Sequence, residues 1–171
     1  MDTANANLAQ IQELYESARL ALSNLSTSYA TNRCSEETAV AALSALSQLI
    51  EKTFTHYEFA FFLEKDYFGL LVQLYPILRN DYPENLWRLF QLSQLIISNT
   101  KNASDLNALF HLQGFHLFFN ENHDFDLNDE VVDYFINIMK SIVLKLNEQS
   151  DFSAIESLVL KVLNLINHKD N

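Results

Sequence analysis

Asp124, Asp126 and Asn128 stand at alternate positions of an acidic stretch, the spacing of the first, third and fifth ligands of a calcium loop. The rest of that pattern fails. Its sixth position falls on Asp129, where the sharp turn needs glycine, and its twelfth on Phe135, where a bidentate glutamate is needed. The acidic residues better suit the N-terminus of the helix that follows, where the helix dipole favours negative charge. His111, His116 and His123 are the next ligand-bearing residues. A zinc site takes four ligands, usually with close pairs. His111 and His116 are five apart, which does not place both on one helical face, and Gly114 interrupts the segment between them. Structural histidines are the better reading. Cys34, between Arg33 and Ser35, lies at a helix start that suits a reactive thiol, but no histidine is near it in sequence. There is no Gly-x-Ser-x-Gly, no phosphate-binding glycine loop and no dinucleotide fingerprint. With only Gly69 and Gly114 in the chain, such sites could hardly be built. The expectation is a protein with no catalytic residue, no metal, no cofactor and no small-molecule substrate. The residues left for function are aromatic: Phe115, Phe118 and Phe119 form a short apolar piece beside the acidic loop, and an exposed patch of this kind marks a partner-binding site.

The elements that must position such a patch are helices. The 171 residues suit one domain, 1–171, and the hydrophobic share of 49% argues against disorder. Two glycines and two prolines are too few for the turns of an all-β domain or the strand-to-helix turns of a doubly wound fold. Formal net charge is −11, and no two of the eleven lysines and arginines are adjacent. Neither a nucleic-acid surface nor a polybasic lipid anchor is visible, because both need clustered positive charge. A single cysteine excludes an intrachain disulfide. No signal-peptide pattern opens the chain, and no apolar run reaches the length of a membrane span, so a cytoplasmic setting is expected.

Apolar periodicity locates the helices. Leu8, Ile11, Leu14, Tyr15, Ala18, Leu22 and Leu25 mark the first, with a polar loop over 26–33. Ser35 caps the second, with Glu36 and Glu37 in its first turn and a stripe from Ala39 to Phe54. The aromatic block Tyr57 to Leu78 reads as two helices broken near Lys65-Asp66, the second kinked or ended by Pro76. Pro83 opens a helix with Leu86, Leu89, Phe90, Leu92, Leu95, Ile96 and Ile97, apolar around so much of its circumference that it must be central. Ser104 is expected to cap a helix to Gln113, with Gly114 in the left-handed position past its end. A long helix from Asp129 to Asn147 buries Val131, Phe135, Ile138, Met139, Ile142 and Leu146, with Lys140 and Lys145 as solvated edges. Ser153 to Glu156 is a capping box that starts the last helix, and 167–171 is a frayed tail. The fold class is therefore all-α: seven to eight helices in an armadillo- or HEAT-like solenoid or an irregular helical bundle.

Three blocks carry a family resemblance. Phe61-Phe62-Leu63-Glu64-Lys65-Asp66-Tyr67-Phe68 resembles the "FFLEK" segment of the FPL domain of the endosomal-maturation, or Ema-type, trafficking proteins, whose human member bears a misleading C-type-lectin name. Leu89 to Phe119 is similar to the middle of that domain. Tyr134 to Asn147, closing in Leu144-Lys145-Leu146-Asn147, is similar to its tyrosine-containing helix ending in "LKLN". The resemblance spans about Ile11 to Glu148 and is strongest over 11–148. The naming tripeptide Phe-Pro-Leu is absent, Tyr75-Pro76-Ile77 being the nearest string, and the family's proteins are far longer. The resemblance implies an armadillo-like module acting in endosome-to-lysosome traffic, autophagy or mitophagy. It implies protein partners, including those of the ubiquitin pathway, and peripheral membrane association at most. A non-enzymatic adaptor is the leading expectation. The alternatives are a secreted microbial effector mimicking this module in the host cytosol, and a cryptic hydrolase or transferase using Cys34 and a histidine.

Overall fold

A computed structural model describes residues 3–119, 129–148, 150 and 152–169, and all regular structure among them is helical. The α-helices are α1 (Thr3–Ala30), α2 (Glu36–Thr55), α3 (Phe59–Lys65), α4 (Tyr67–Asp81), α5 (Trp87–Ser98), α6 (Ala103–Phe110), α7 (Gln113–Phe119), α8 (Asp129–Lys145) and α9 (Phe152–Lys169), with a 3₁₀ turn at Pro83–Asn85. Nine stand among the described residues, where seven to eight are expected, because the Phe115–Phe119 piece is a helix in its own right.

The most extensive packings are α1 on α2, α5 on α8 and α4 on α7, followed by α2 on α5 and α1 on α4. Each long helix therefore stacks on the helix three places later. One layer runs α1–α4–α7 and the other α2–α5–α8, with the short α3 and α6 as third members of each unit. This is the stacking of a three-helix solenoid of armadillo type. Side-chain bonds between units repeat the period. Tyr57 to Asp105, Asp66 to Gly114 and Lys145 to Ile97 all join residues 48 apart. Asn85 bonds Glu36 across 49 positions and Asn80 bonds Tyr29 across 51. As expected, α5 lies at the centre, packed by α2, α4 and α8.

Several boundaries differ from the sequence expectation for local reasons. α1 continues to Ala30 through the expected polar loop, with the Thr27 and Thr31 hydroxyls bonded back to the carbonyls of Ser23 and Thr27. Ser35 does cap α2, its hydroxyl accepting the Thr38 N–H at 3.2 Å. Asp66 takes φ 44°, the left-handed conformation, and there the chain breaks between α3 and α4. α4 runs through Pro76 to Asp81. Pro76 is on the exposed side, where a helix tolerates a missing backbone bond, while Tyr75, Ile77 and Leu78 are buried around it. Asn102, not Ser104, caps α6, accepting the Asp105 N–H at 2.9 Å. α9 begins at Phe152, which puts Ser153 inside the helix, and the expected frayed tail from Asn167 is helical to Lys169.

Gly114 is the main correction. It is not a left-handed residue ending α6 but lies within α7, and no glycine has positive φ. A Cβ there would stand 2.4 Å from the Gly69 nitrogen and 2.8 Å from the Phe68 carbonyl carbon. Glycine is required because α7 closes onto the first turn of α4 backbone to backbone. The Asp66 carboxylate fastens this approach by accepting the Gly114 N–H at 2.7 Å.

That approach also corrects the expected partner patch. Phe115, Phe118 and Phe119 are fully buried. Phe68 from α4 meets all three, with ring centroids 5.5, 6.1 and 5.7 Å away. Phe118 and Phe119 continue to Phe90 of α5 and Phe135 of α8. The three rings join the two layers, each contributing burial of about 1.5–3 kcal/mol, and none is a surface for a partner.

Candidate interaction surface

The outer side of the α2–α5–α8 layer is built from α5 outward. The Pro83–Asn85 turn and buried Leu86 set the start of α5, and the Asn85 amide donates to the Glu36 carboxylate at 3.4 Å, tying the turn to α2. Trp87 is thus held at the first position of the helix. Trp87, Gln91, Gln94 and Ser98 then follow at helical spacing along the side of α5 that does not enter the core. Ser44 and Ser47 of α2 border this row, as do Glu130, Asp133 and Asn137 of α8.

Three clefts lie along it. The largest, about 470 Å³, is lined by Trp87, Glu130, Asp133, Tyr134 and Asn137 between α5 and α8. A second, about 270 Å³, lies between α2 and α5 beside Ser44, Ser47, Trp87 and Arg88. The third, about 360 Å³, continues along Ser47, Gln91, Gln94 and Ser98. Trp87 borders the first two. Its indole stacks on the Tyr134 ring at 6.1 Å and an interplanar angle of 12°, and the Arg88 guanidinium lies 5.6 Å from the indole centroid. The middle of the surface offers serine hydroxyls and glutamine amides, which donate and accept hydrogen bonds without charge. Its α8 end is aromatic and acidic. Sequence reading passes over Trp87 because it looks for apolar stripes that form cores. The available signal is the chain's one tryptophan standing in phase with three polar residues on an otherwise apolar helix.

Exposed apolar side chains gather elsewhere. Of the six large ones among the described residues, Val143, Leu144, Phe152, Leu160 and Leu163 lie at the end of α8 and on α9, with Leu144 84% exposed.

Cys34 lies in the α1–α2 loop beside Tyr82, whose phenol donates a hydrogen bond to the thiol; that bond first, and then desolvation, push the phenol up to about 12. His111 ends α6, its N–H donating to the Ala108 and Leu109 carbonyls, and the His116 ring meets Phe115 edge-on at 5.9 Å. His123, Asp124, Asp126 and Asn128 lie outside the described residues. Among the described residues, no group of three or more His, Cys, Asp or Glu could hold a metal ion, and no helix is long and apolar enough to cross a membrane. Lys145 is not the solvated edge the sequence suggests. Its ammonium donates to the Ile97 carbonyl at 2.5 Å and to the Thr100 hydroxyl at 3.1 Å, neutralising the negative end of the α5 dipole. Partial burial lowers its pKa.

Tyr57 binds the next unit. Its hydroxyl donates to the Asp105 carboxylate and accepts the Lys101 N–H at 3.1 Å, while the Lys101 ammonium sits 3.7 Å from the ring centroid. Burial first, then the bond to Asp105, push its pKa from 10.0 up to about 12. The folded state thus retains a proton that the unfolded chain loses near pH 10. The stabilisation is complete below pH 10 and lost as pH rises to about 12. Melting temperature is expected to fall across that interval and to fall less steeply in Tyr57→Phe. Burial also raises the Tyr67 phenol, so some slope remains. Identical slopes for the two proteins would remove Tyr57 from this role.

No curated protein and no solved structure matches the chain. A family model matches residues 43–171, from the middle of α2 through α9, and leaves α1 outside. The match takes in the Phe61–Phe68 block, the α5–α7 block and the helix containing Tyr134, and it extends past the end of the resemblance read from the sequence. On that match the chain belongs to the FPL family, described as an uncharacterised conserved protein.

Proposed function

We propose that the chain is a non-enzymatic adaptor module that binds protein partners of endosomal-lysosomal traffic and autophagy on its α2–α5–α8 face. Membership of the FPL family is the observation that carries this reading. The ordered similarity of Phe61–Phe68, Leu89–Phe119 and Tyr134–Asn147 to the Ema-type trafficking proteins supports the pathway. The row of clefts beside Ser47, Gln91, Gln94 and Asn137 supports the surface. Hydroxyls and amides at this spacing satisfy the backbone of an extended segment, and the flanking aromatics supply desolvated contact area. Solenoid layers commonly use such extended faces for binding. The module acts in the cytosol, meeting endosomal or lysosomal membranes peripherally and through its partners.

The test is affinity capture from cell lysate with the whole chain and with a Ser47→Arg/Gln91→Arg variant, whose side chains crowd two of the clefts. Endosomal and autophagy proteins are expected on the wild type and reduced several-fold on the variant. Equal recovery on both, or none on either, overturns the reading.

A further inference from the structure

We infer that the cleft between α5 and α8 receives an arginine side chain from a basic segment of the partner. This deepens the adaptor reading and rests on it. The cleft is lined by the stacked pair Trp87 and Tyr134 and by Glu130 and Asp133, which lie one helical turn apart on α8. Glu130 makes no ion pair with another described residue. The chain carries 22 acidic against 11 basic residues, so its field draws cations towards such a cleft. The indole already holds one planar cation, since the chain's own Arg88 guanidinium, which lines the neighbouring α2–α5 cleft, lies 5.6 Å from its centroid. An entering arginine lays its stem along the rings and sets its guanidinium on the carboxylates, which take its paired N–H donors. The serines and glutamines of the neighbouring clefts then follow the peptide backbone on either side. An acidic segment is repelled by these carboxylates, and a neutral one gains no charge pairing from them.

Trp87 is the chain's one tryptophan, so its fluorescence reports directly from the cleft. The whole chain is titrated with acetylated hexa-arginine amide and, separately, with hexaglutamate. A saturable fluorescence change is expected with hexa-arginine alone. Glu130→Gln/Asp133→Asn is expected to weaken it about fivefold or more, from two close charge pairs of ordinary surface strength. Glu51→Gln/Glu64→Gln makes the same change in net charge at exposed positions on α2 and α3 and is expected to leave the titration unchanged. Thermal melts confirm that each variant is folded. No saturable change, or equal weakening by both double variants, overturns the inference, because attraction would then be general rather than seated in the cleft. The outcome is separable from that of the adaptor reading. Capture of trafficking proteins without hexa-arginine binding removes only the cleft, and hexa-arginine binding without such capture removes only the pathway.

Discussion

Gly114→Ala is expected to destabilise the protein by about 3 kcal/mol, the upper range for overpacking a close-packed site, while Gly69→Ala leaves stability unchanged or raises it. The chain's two glycines face each other across the α4–α7 contact and differ in what a methyl group would meet. At Gly114 the new Cβ falls within 2.4 Å of the Gly69 nitrogen and 2.8 Å of the Phe68 carbonyl carbon, backbone atoms that cannot turn aside as a flexible side chain would. α7 must lift from α4, which strains the Asp66–Gly114 hydrogen bond and loosens Phe115, Phe118 and Phe119 against Phe68. At Gly69 the Cβ meets only the Asp66 Cγ, at 4.0 Å, an ordinary contact. Alanine there gains about 0.5–1 kcal/mol from helix propensity and reduced unfolded-state freedom. For a chain of this length the Gly114→Ala loss corresponds to a melting temperature lower by roughly 6–12 °C. Thermal denaturation by circular dichroism decides the matter. Wild-type melting of Gly114→Ala would mean that α7 is not seated on α4.

The second large effect is at Phe135. Phe135→Ala is expected to cost about 3–5 kcal/mol, and Ile142→Ala about 2–5 kcal/mol, as buried large-to-small changes. Phe135 is fully buried at the crossing of α8 and α5, 5.0 Å from the Phe90 ring and 6.1 Å from Phe119. Its ring, carried on α8, meets rings of α5 and α7, one from each layer, so a cavity there cannot close by the movement of one element. Urea unfolding with an unchanged denaturant slope is the measurement. Stability equal to wild type in both variants would show that α8 does not complete the core.

The role of α8 as a core helix is readable from sequence, since Val131, Phe135, Ile138 and Ile142 recur at helical spacing and all are buried. The central place of α5 is readable for the same reason. The short α7 is not. Three phenylalanines in seven residues have no polar face against which to judge orientation, so a buried piece and an exposed patch look alike. Leu163 of α9, by contrast, is half exposed. Trp87 shows the limit for the candidate surface: its position on α5 is legible, but Tyr134, Glu130 and Asp133 reach it only when α8 packs alongside.

What the sequence by itself determined was therefore everything decided within a turn or two of helix. It specified the all-α class, the Ser35 cap, the break at Asp66 and the buried stripes of α2, α5 and α8, because capping and amphipathic spacing act over four residues or fewer. Only the tertiary structure decided which unit lies on which. The bonds that do so join Tyr57 to Asp105, Asp66 to Gly114 and Ile97 to Lys145, each 48 residues apart. These pairs differ in chemistry and share only their separation. The repeat is one of geometry, carried by whatever side chains meet at each step, and it leaves no recurring motif for a sequence to display.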